Sequence, residues 1–344
     1  MRKIIIDGLG ADQGPEMVGQ ALALAMKKNP DFEAVLVGPK VDFAPFLEPY
    51  SERIEWIETD QVISNDESPV MAIRRKKDAS MVLAFQRLKA EDVHVLLSAG
   101  STGALLAGAT FITKRMKGVK RCCLAPILPN LGGRDIILAD AGANMDTTPE
   151  MLIQFAVLAS AYAREALGIS RPRIGTLSVG VEDHKGDERV RKTADLLRKT
   201  DLDYIGNVEA RDLLDVGSDI VLADGFSGNI AMKTAEGIAE ALFSLIKEAI
   251  MSGPLTKLGG LLLKDALKDR FKSLDYKRHG GAPLLGAQKP VFKAHGNSNP
   301  ETFALAIQEA LDYAKNHQGS SLEEDLAKTM AEIAGPVESG DDHE

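Results

Sequence analysis

Short apolar runs recur along the chain, each closed by a turn rich in glycine and aspartate and followed by an amphipathic stretch. The first covers residues 3–6 and closes in Asp7-Gly8-Leu9-Gly10-Ala11-Asp12. A helix is predicted to open near Pro15, because proline at the first helical position lacks only an N–H that would be unpaired there. The unit returns at residues 93–97, closed by Ser98-Ala99-Gly100-Ser101-Thr102-Gly103, and at 135–139, where Thr148-Pro149-Glu150 signals the next helix. It returns again at 173–179 and at 219–223, and residues 35–37 add a further short strand. Alternating strand and helix signals predict an α/β fold with a mostly parallel sheet, helical crossovers and both faces covered. In such sheets the loops at the carboxyl ends of the strands gather in one crevice, where ligands bind. Turns far apart in sequence are therefore expected to meet.

Two segments break the pattern. Residues 250–278 are rich in Leu and Lys, and at helical spacing Leu255, Leu258, Leu262 and Ala266 fall opposite Lys257, Lys264 and Lys268. From Leu255 to Arg278 there are seven Lys or Arg against three Asp, a local charge of +4. A basic amphipathic stretch of this kind lies in a lipid interface and is drawn to anionic headgroups. Membrane contact is expected at Leu255, Leu258 and Leu262, with a dimer or core contact as the alternative. Gly259-Gly260 is expected to weaken the helix. Residues 319–344 turn acidic and are expected to form a flexible tail beyond a single domain of residues 1–318.

Composition narrows the class. Aromatics are only 5% of the 344 residues, so the core must rest on Ala, Leu, Ile and Val. A formal net charge of −9 disfavours a general nucleic-acid binder. The two cysteines, Cys122 and Cys123, are adjacent and poorly placed to bridge, which suggests a reduced, cytoplasmic setting. The first apolar run stops at Asp7, too short for a signal peptide, and no run is long enough to span a bilayer. No His or Cys cluster has metal-ligand spacing, so neither metal nor cofactor is expected.

Candidate chemistry sits in the turns. Ser101, Thr102 and Gly103 open a small-residue helix, where unpaired N–H groups and hydroxyls suit a phosphate; the bland reading is an ordinary cap. This turn is neither a P-loop nor a dinucleotide fingerprint. Asp224-Gly225-Phe226-Ser227-Gly228-Asn229 is a second such opening, with Asp224 able to orient a partner and Ser227 and Asn229 able to donate to an oxyanion. The alternative there is an Asx turn with a cap. Lys185, in a charged loop after a strand, could reach a phosphate as a mobile point charge, although a charge run is ordinarily just solvated. Near the end of the chain, after Lys293, Asn299 and Pro300 read as a helix cap and first position, which leaves His295, Asn297 and Ser298 without an obvious structural duty.

Taken in order, Asp7 to Pro15, Ile73-Arg74-Arg75-Lys76-Lys77-Asp78, Ser98 to Ala104, Gly142-Ala143-Asn144, Ile205-Gly206-Asn207-Val208-Glu209, Asp224 to Asn229, Gly280 to Gly286 and Lys293 to Asn299 form a pattern. It resembles the bacterial phosphate acyltransferases of phospholipid synthesis over roughly residues 1–318. The resemblance implies a three-layer α/β/α Rossmann-like fold related to phosphotransacetylases and a homodimer working peripherally at the inner membrane surface. It also implies acyl transfer from an acyl carrier protein thioester to inorganic phosphate. On that reading Ser101, Thr102, Gly103, Ser227, Gly228 and Asn229 hold phosphate, with Lys185 and Lys293 as countercharges. His295 protonates the departing thiolate or donates to the oxyanion, Asp12 and Asp224 orient these groups, and Arg74, Arg75, Lys76 and Lys77 meet the acidic carrier. Where the family usually has Asp-Ala-Met-Gly-Gly-Asp-His, this chain has Asp7-Gly8-Leu9-Gly10-Ala11-Asp12-Gln13. Two alternatives remain: a coenzyme A-dependent short-chain phosphotransacylase, and a weakly active acyl-binding regulatory paralogue, which Gln13 favours.

Overall fold

The computed structural model describes residues 2–130, 134–214, 217–272, 278–316 and 319–334. The chain begins β1 (Arg2–Asp7), α1 (Gly14–Lys28), β2 (Phe32–Val37), α2 (Lys40–Leu47), β3 (Ile54–Ile57), α3 (Pro69–Arg75), α4 (Ser80–Leu88), β4 (Val95–Ser98) and α5 (Thr102–Gly108). It continues through β5 (Cys123–Leu124), β6 (Ile127–Leu128), β7 (Ile136–Ala139), α6 (Pro149–Ala166), β8 (Arg173–Ser178), α7 (Glu188–Leu197), β9 (Asp203–Glu209) and β10 (Ile220–Leu222). It ends with α8 (Gly225–Met251), α9 (Pro254–Lys272), β11 (Gly281–Leu285), β12 (Val291–Ala294), α10 (Pro300–Asn316) and α11 (Gly319–Ala334).

Among the described residues the strands form two sheets, ordered β3-β2-β1-β4-β12-β11-β5 and β6-β7-β10-β8-β9. Pairing is mostly parallel; β11 runs antiparallel to β12 and to β5, and β6 antiparallel to β7. The Ile4-Ile5-Ile6 run of β1 shows why both faces are covered. Ile4 and Ile6 join the cluster built by α1, α6 and α10, whereas Ile5 joins the cluster of α4 and α5 on the other face. Successive strand side chains point to opposite faces, so an uninterrupted apolar run needs two covers. Helix α6 also packs on β7 and β10, and the far face of the second sheet meets Met232 of α8. The predicted signals for the helix starts hold: Thr148 Oγ1 accepts from Met151 N at 3.4 Å, and Asn299 Oδ1 from Thr302 N at 2.8 Å.

The Leu/Lys-rich segment is longer than its sequence suggests. Helix α8 buries only Gly225, Gly228 and Met232; the remainder projects and turns at Ser252-Gly253 into α9, forming a helical hairpin. Gly259-Gly260 does not break α9. A side chain at Gly260 would meet Ile250 Cγ2 at 2.3 Å, so this glycine lets Ile250 of α8 rest against the α9 backbone. The acidic tail expectation also needs correction. Residues 319–334 are helix α11, because Leu326 is buried and Leu322, Met330 and Ile333 pack on the core beside α6. Arg164 pairs with Asp325 at 3.1 Å, and Glu323 accepts from Lys117 N at 2.9 Å. The rest of the expected tail, residues 335–344, lies outside the described residues.

Candidate functional site

Three loops meet at the C-terminal edge of the first sheet. The register aligns Asp7 of β1 with Ser98 of β4, and Ser98 with Lys293 of β12. Aligned residues of neighbouring strands project to the same face, so these three side chains form one row. Ser98 Oγ donates to Asp7 Oδ2 at 2.7 Å and accepts from Gly100 N at 3.0 Å. Lys293 Nζ donates to Ala99 O at 3.0 Å and to Ala294 O. Asp12 N donates to Gly296 O at 2.9 Å, and Gln13 Nε2 to Asn297 O at 3.3 Å, which ties the β1 loop to the loop carrying His295. Gly10 has a steric reason: a side chain there would meet Gly100 N at 2.5 Å, so the first two loops touch backbone to backbone.

The stem of Lys293 keeps some exposed surface, but its ammonium is desolvated. Burial pushes its pKa down to about 8, with Asp12 and Asp7 opposing the fall. Burial pushes Asp7 up, against the donors Ser98 and Leu9 and the Lys293 charge. Beside this row α5 opens with Ser101 at its N-cap, and the Ser101 side chain makes no capping bond. The first N–H groups of α5 are therefore left to a ligand.

The start of α8 is different. Asp224 Oδ1 accepts from Phe226 N and Ser227 N, each at 3.0 Å, and its Oδ2 accepts from Arg189 Nη2 at 2.7 Å. Those N–H groups are not available to phosphate, and Asp224 is a cap and an ion-pair partner rather than an orienter of Lys293 or His295. The Asx-turn alternative is the one this end adopts, leaving the Ser227 and Asn229 side chains as candidate donors. Asp140, buried just after β7, accepts from Leu124 N, Gly142 N, Ala143 N, Asn144 N and Asn144 Nδ2 at 2.7–3.2 Å. It thereby shapes the Gly142-Ala143-Asn144 turn and binds it to β5 of the other sheet. Beside Asp224 lies an open-sided, mainly apolar cavity of about 900 Å³. Leu177, Val190, Leu213, Ile230, Ile238 and Leu242 line it, with Arg189, Asp224 and Ser227 at its polar end.

Lys185 lies in the β8–α7 loop with its stem against Gly180, next to the cavity-lining Gly186 and Asp187. In the basic run, Arg74 stacks over Phe111 at 5.0 Å, while Arg75 and Lys77 are exposed. Lys76 has a structural partner: its ammonium donates to Glu67 Oε1 at 2.7 Å and Val62 O at 3.1 Å. Helix α3, which carries the run, packs on α5. Leu255, Leu258 and Leu262 are 83%, 57% and 80% exposed on α9, in keeping with an external contact. Both cysteines are buried, and burial pushes the Cys122 thiol up to about 12, which excludes a ready thiolate nucleophile.

Sequence reasoning missed Asp140 and Arg189 and gave Asp7 no role. The available signal was an acidic residue closing an apolar run, present at both Asp7 and Asp140.

Comparison with known proteins decides the lineage. The model of a family described as fatty acid synthesis protein matches residues 2–320. The chain belongs to that family. Phosphate acyltransferase of Anoxybacillus flavithermus is 42% identical over 326 residues, covering 95% of this chain and 99% of the relative. Phosphate acyltransferase of Geobacillus sp. is 44% identical over 314 residues, covering 91% and 95%. Among solved structures, a phosphotransacetylase from Streptococcus pyogenes superposes with a TM-score of 0.59 at 17% identity, covering 92% of this chain and 94% of that one. A branched-chain phosphotransacylase from Enterococcus faecalis gives 0.54 at 13% identity, covering 92% and 100%. The likeness to these structures shows the α/β fold alone.

Proposed function

We propose that this chain is a phosphate acyltransferase that moves an acyl group from an acyl carrier protein thioester to inorganic phosphate. The observation that carries this reading is the Asp7–Ser98–Lys293 row beside the uncapped start of α5. A desolvated ammonium and free N–H donors together suit a phosphate dianion, and the chain is 42–44% identical to phosphate acyltransferases.

Phosphate is already a nucleophile, so the residues need chiefly to place it and to stabilise charge. The N–H groups of Thr102 and Gly103, the hydroxyls of Ser101 and Thr102, and Lys293 hold the monohydrogen phosphate. One of its oxygens attacks the thioester carbonyl carbon, and the carbonyl electron pair moves onto oxygen. The oxyanion then collapses and the C–S bond breaks. His295 gives a proton to the departing thiolate and takes the one released by phosphate, so the products are acyl phosphate and free thiol.

The cavity beside Asp224 takes the acyl chain. At about 900 Å³ it is large and mainly apolar, which supports a long chain over acetyl. Small-molecule sites span roughly 300–1,000 Å³. Lys185 stands beside it as a second countercharge. Arg74 and Arg75 at the end of α3, with Lys77 just beyond it, receive the acidic carrier next to α5. A second copy of the chain covers the exposed Ile238, Leu242 and Leu245 of α8 and closes the cavity. The tip of the hairpin, with Leu255, Leu258 and Leu262, rests on anionic lipid.

The test is incubation of the protein with phosphate and with carrier-protein or coenzyme A thioesters of the same acyl chain. Acyl phosphate forming faster from the carrier thioester is expected. Faster turnover of short coenzyme A thioesters would replace the carrier reading. Acyl binding without acyl phosphate would support the regulatory role that Gln13 favours.

A further inference from the structure

Asp7 has no place in the reaction as written, yet it is 1% exposed and stands in the same row as Lys293. A carboxylate buried on a strand end is costly unless it is well partnered. The partners here point one way. Ser98 Oγ donates to it at 2.7 Å while accepting from Gly100 N, and Leu9 N donates to its other oxygen at 3.4 Å. Ser98, having accepted from Gly100, has its single proton committed to Asp7. The carboxylate therefore receives donors from both sides, which favour its ionised form against the upward push that burial gives its pKa.

Lys293 extends over the same strand end and donates to Ala99 O, in the peptide next to Ser98. The carboxylates that act on its ammonium from neighbouring elements are Asp12, from the β1–α1 loop, the stronger of the two, and Asp7, from β1. Asp12 is exposed, so solvent screens it, whereas Asp7 is buried beneath the Gly100 turn and acts through a poorer dielectric. Gly10 and Gly100 keep that turn pressed onto Asp7, with side-chain positions at either glycine falling 3.2–3.4 Å from its Oδ2.

We infer that Asp7 is a positioning residue for Lys293: through the Ser98 row it keeps the ammonium charged and aimed at the Ala99 turn, where phosphate must bind. The inference rests on the proposed role of Lys293. Burial drives that ammonium towards its neutral form, and the buried carboxylate offsets part of the drive. Without Asp7, Lys293 would lose its proton at lower pH and present a neutral amine to the phosphate.

The experiment is the pH profile of kcat/KM for phosphate, measured on the full-length protein as wild type, Asp7→Asn, Ser98→Ala and Lys293→Met. Wild type is expected to lose activity on the alkaline side as Lys293 deprotonates. Removing a close opposite charge shifts a pKa by about 1–3 units. The alkaline limb of Asp7→Asn is therefore expected to move to lower pH by at least a unit, with the deficit shrinking as pH falls. Ser98→Ala, which keeps the carboxylate but removes its main donor, moves the limb the same way by less and serves if Asp7→Asn does not fold. Lys293→Met is expected to lose the limb along with most of its activity. An active Lys293→Met would overturn the role of Lys293 itself. An inactive Lys293→Met, with the other two variants depressed equally at every pH, would overturn the inference about Asp7 alone.

Discussion

Asp140 offers the sharpest test of how the two sheets are held. Its side chain is fully buried and accepts from at least five N–H groups, three of them backbone donors of the turn it closes and one from Leu124 of the other sheet. Asp140→Ala would leave Leu124 N and Asn144 N buried without an acceptor and the half-buried Gly142 N and Ala143 N without theirs, while Asn144 Nδ2 would keep Cys122 O. A stranded buried donor costs about 1–3 kcal/mol, so even with relaxation the loss is on the order of 5 kcal/mol. That is a large fraction of the roughly 5–15 kcal/mol that holds a folded protein together. Asp140→Asn differs in an instructive way. It removes a charge that burial opposes, since burial pushes the Asp140 pKa up against its hydrogen bonds. It also turns an NH2 towards donors at one oxygen, so a cost of about 2–3 kcal/mol is expected. Urea unfolding followed by circular dichroism, with slopes compared, reads both values. Asp140→Asn within half a kcal/mol of wild type would refute the role given to the carboxylate, as would an alanine variant no worse than the asparagine one.

Charge reversal at Arg75 and Lys77, which are exposed where Lys76 is tied to Glu67, is expected to raise KM for the carrier thioester several-fold and to spare coenzyme A thioesters; equal effects on both would relocate the run to the phosphate site. Leu258→Glu or Leu262→Glu is expected to abolish co-sedimentation with anionic vesicles at low salt while activity on soluble substrates persists, and failure of the wild type to sediment would leave the hairpin as a protein contact. Burial alone would lower the pKa of His279, but hydrogen bonds and charge from Glu309 and Asp135 outweigh it and raise the value above the ordinary 6.5. The stabilisation is therefore complete below that pH and is lost as pH rises through the higher folded value, so thermal melts at pH 6 and 8 are expected to converge in His279→Gln.

Much of the fold was legible because buried parallel strands write themselves as unbroken apolar runs. Ile4-Ile5-Ile6 could be nothing else once Pro15 and the glycines framed it. β3 and β9 escaped because Glu55, Asn207 and Glu209 dilute the apolar signal on strands at the sheet edges, and β5, β6, β11 and β12 because they are short or broken by Gly281, Pro283 and Lys293. Division into two sheets was invisible, since it depends on residues 124–127 crossing between them and not on any local pattern. At the site, the loop of His295, Asn297 and Ser298 stood out as residues with no structural duty, and the Ser101 turn as an anion site or a cap. Asp224 misled because a capping carboxylate and an orienting one look alike in sequence; only the Arg189 contact and the bonds to Phe226 and Ser227 separate them. The acidity of residues 319–334 masked an apolar spacing at Leu322, Leu326, Met330 and Ile333 that three-dimensional burial makes plain.

Strand β7 carries an acid at each end, and each reaches into the other sheet's territory. At its start Asp135 meets Arg278 at 2.7 Å and His279 at 3.2 Å, just ahead of β11, and His279 in turn meets Glu309 of α10. At its finish Asp140 holds Leu124 of β5. The second sheet is thus tied to the first at both ends of β7. Opening and shutting of the two halves around a bound substrate, a common way for an enzyme to admit and then enclose its ligand, would have to break these contacts at both ends of β7.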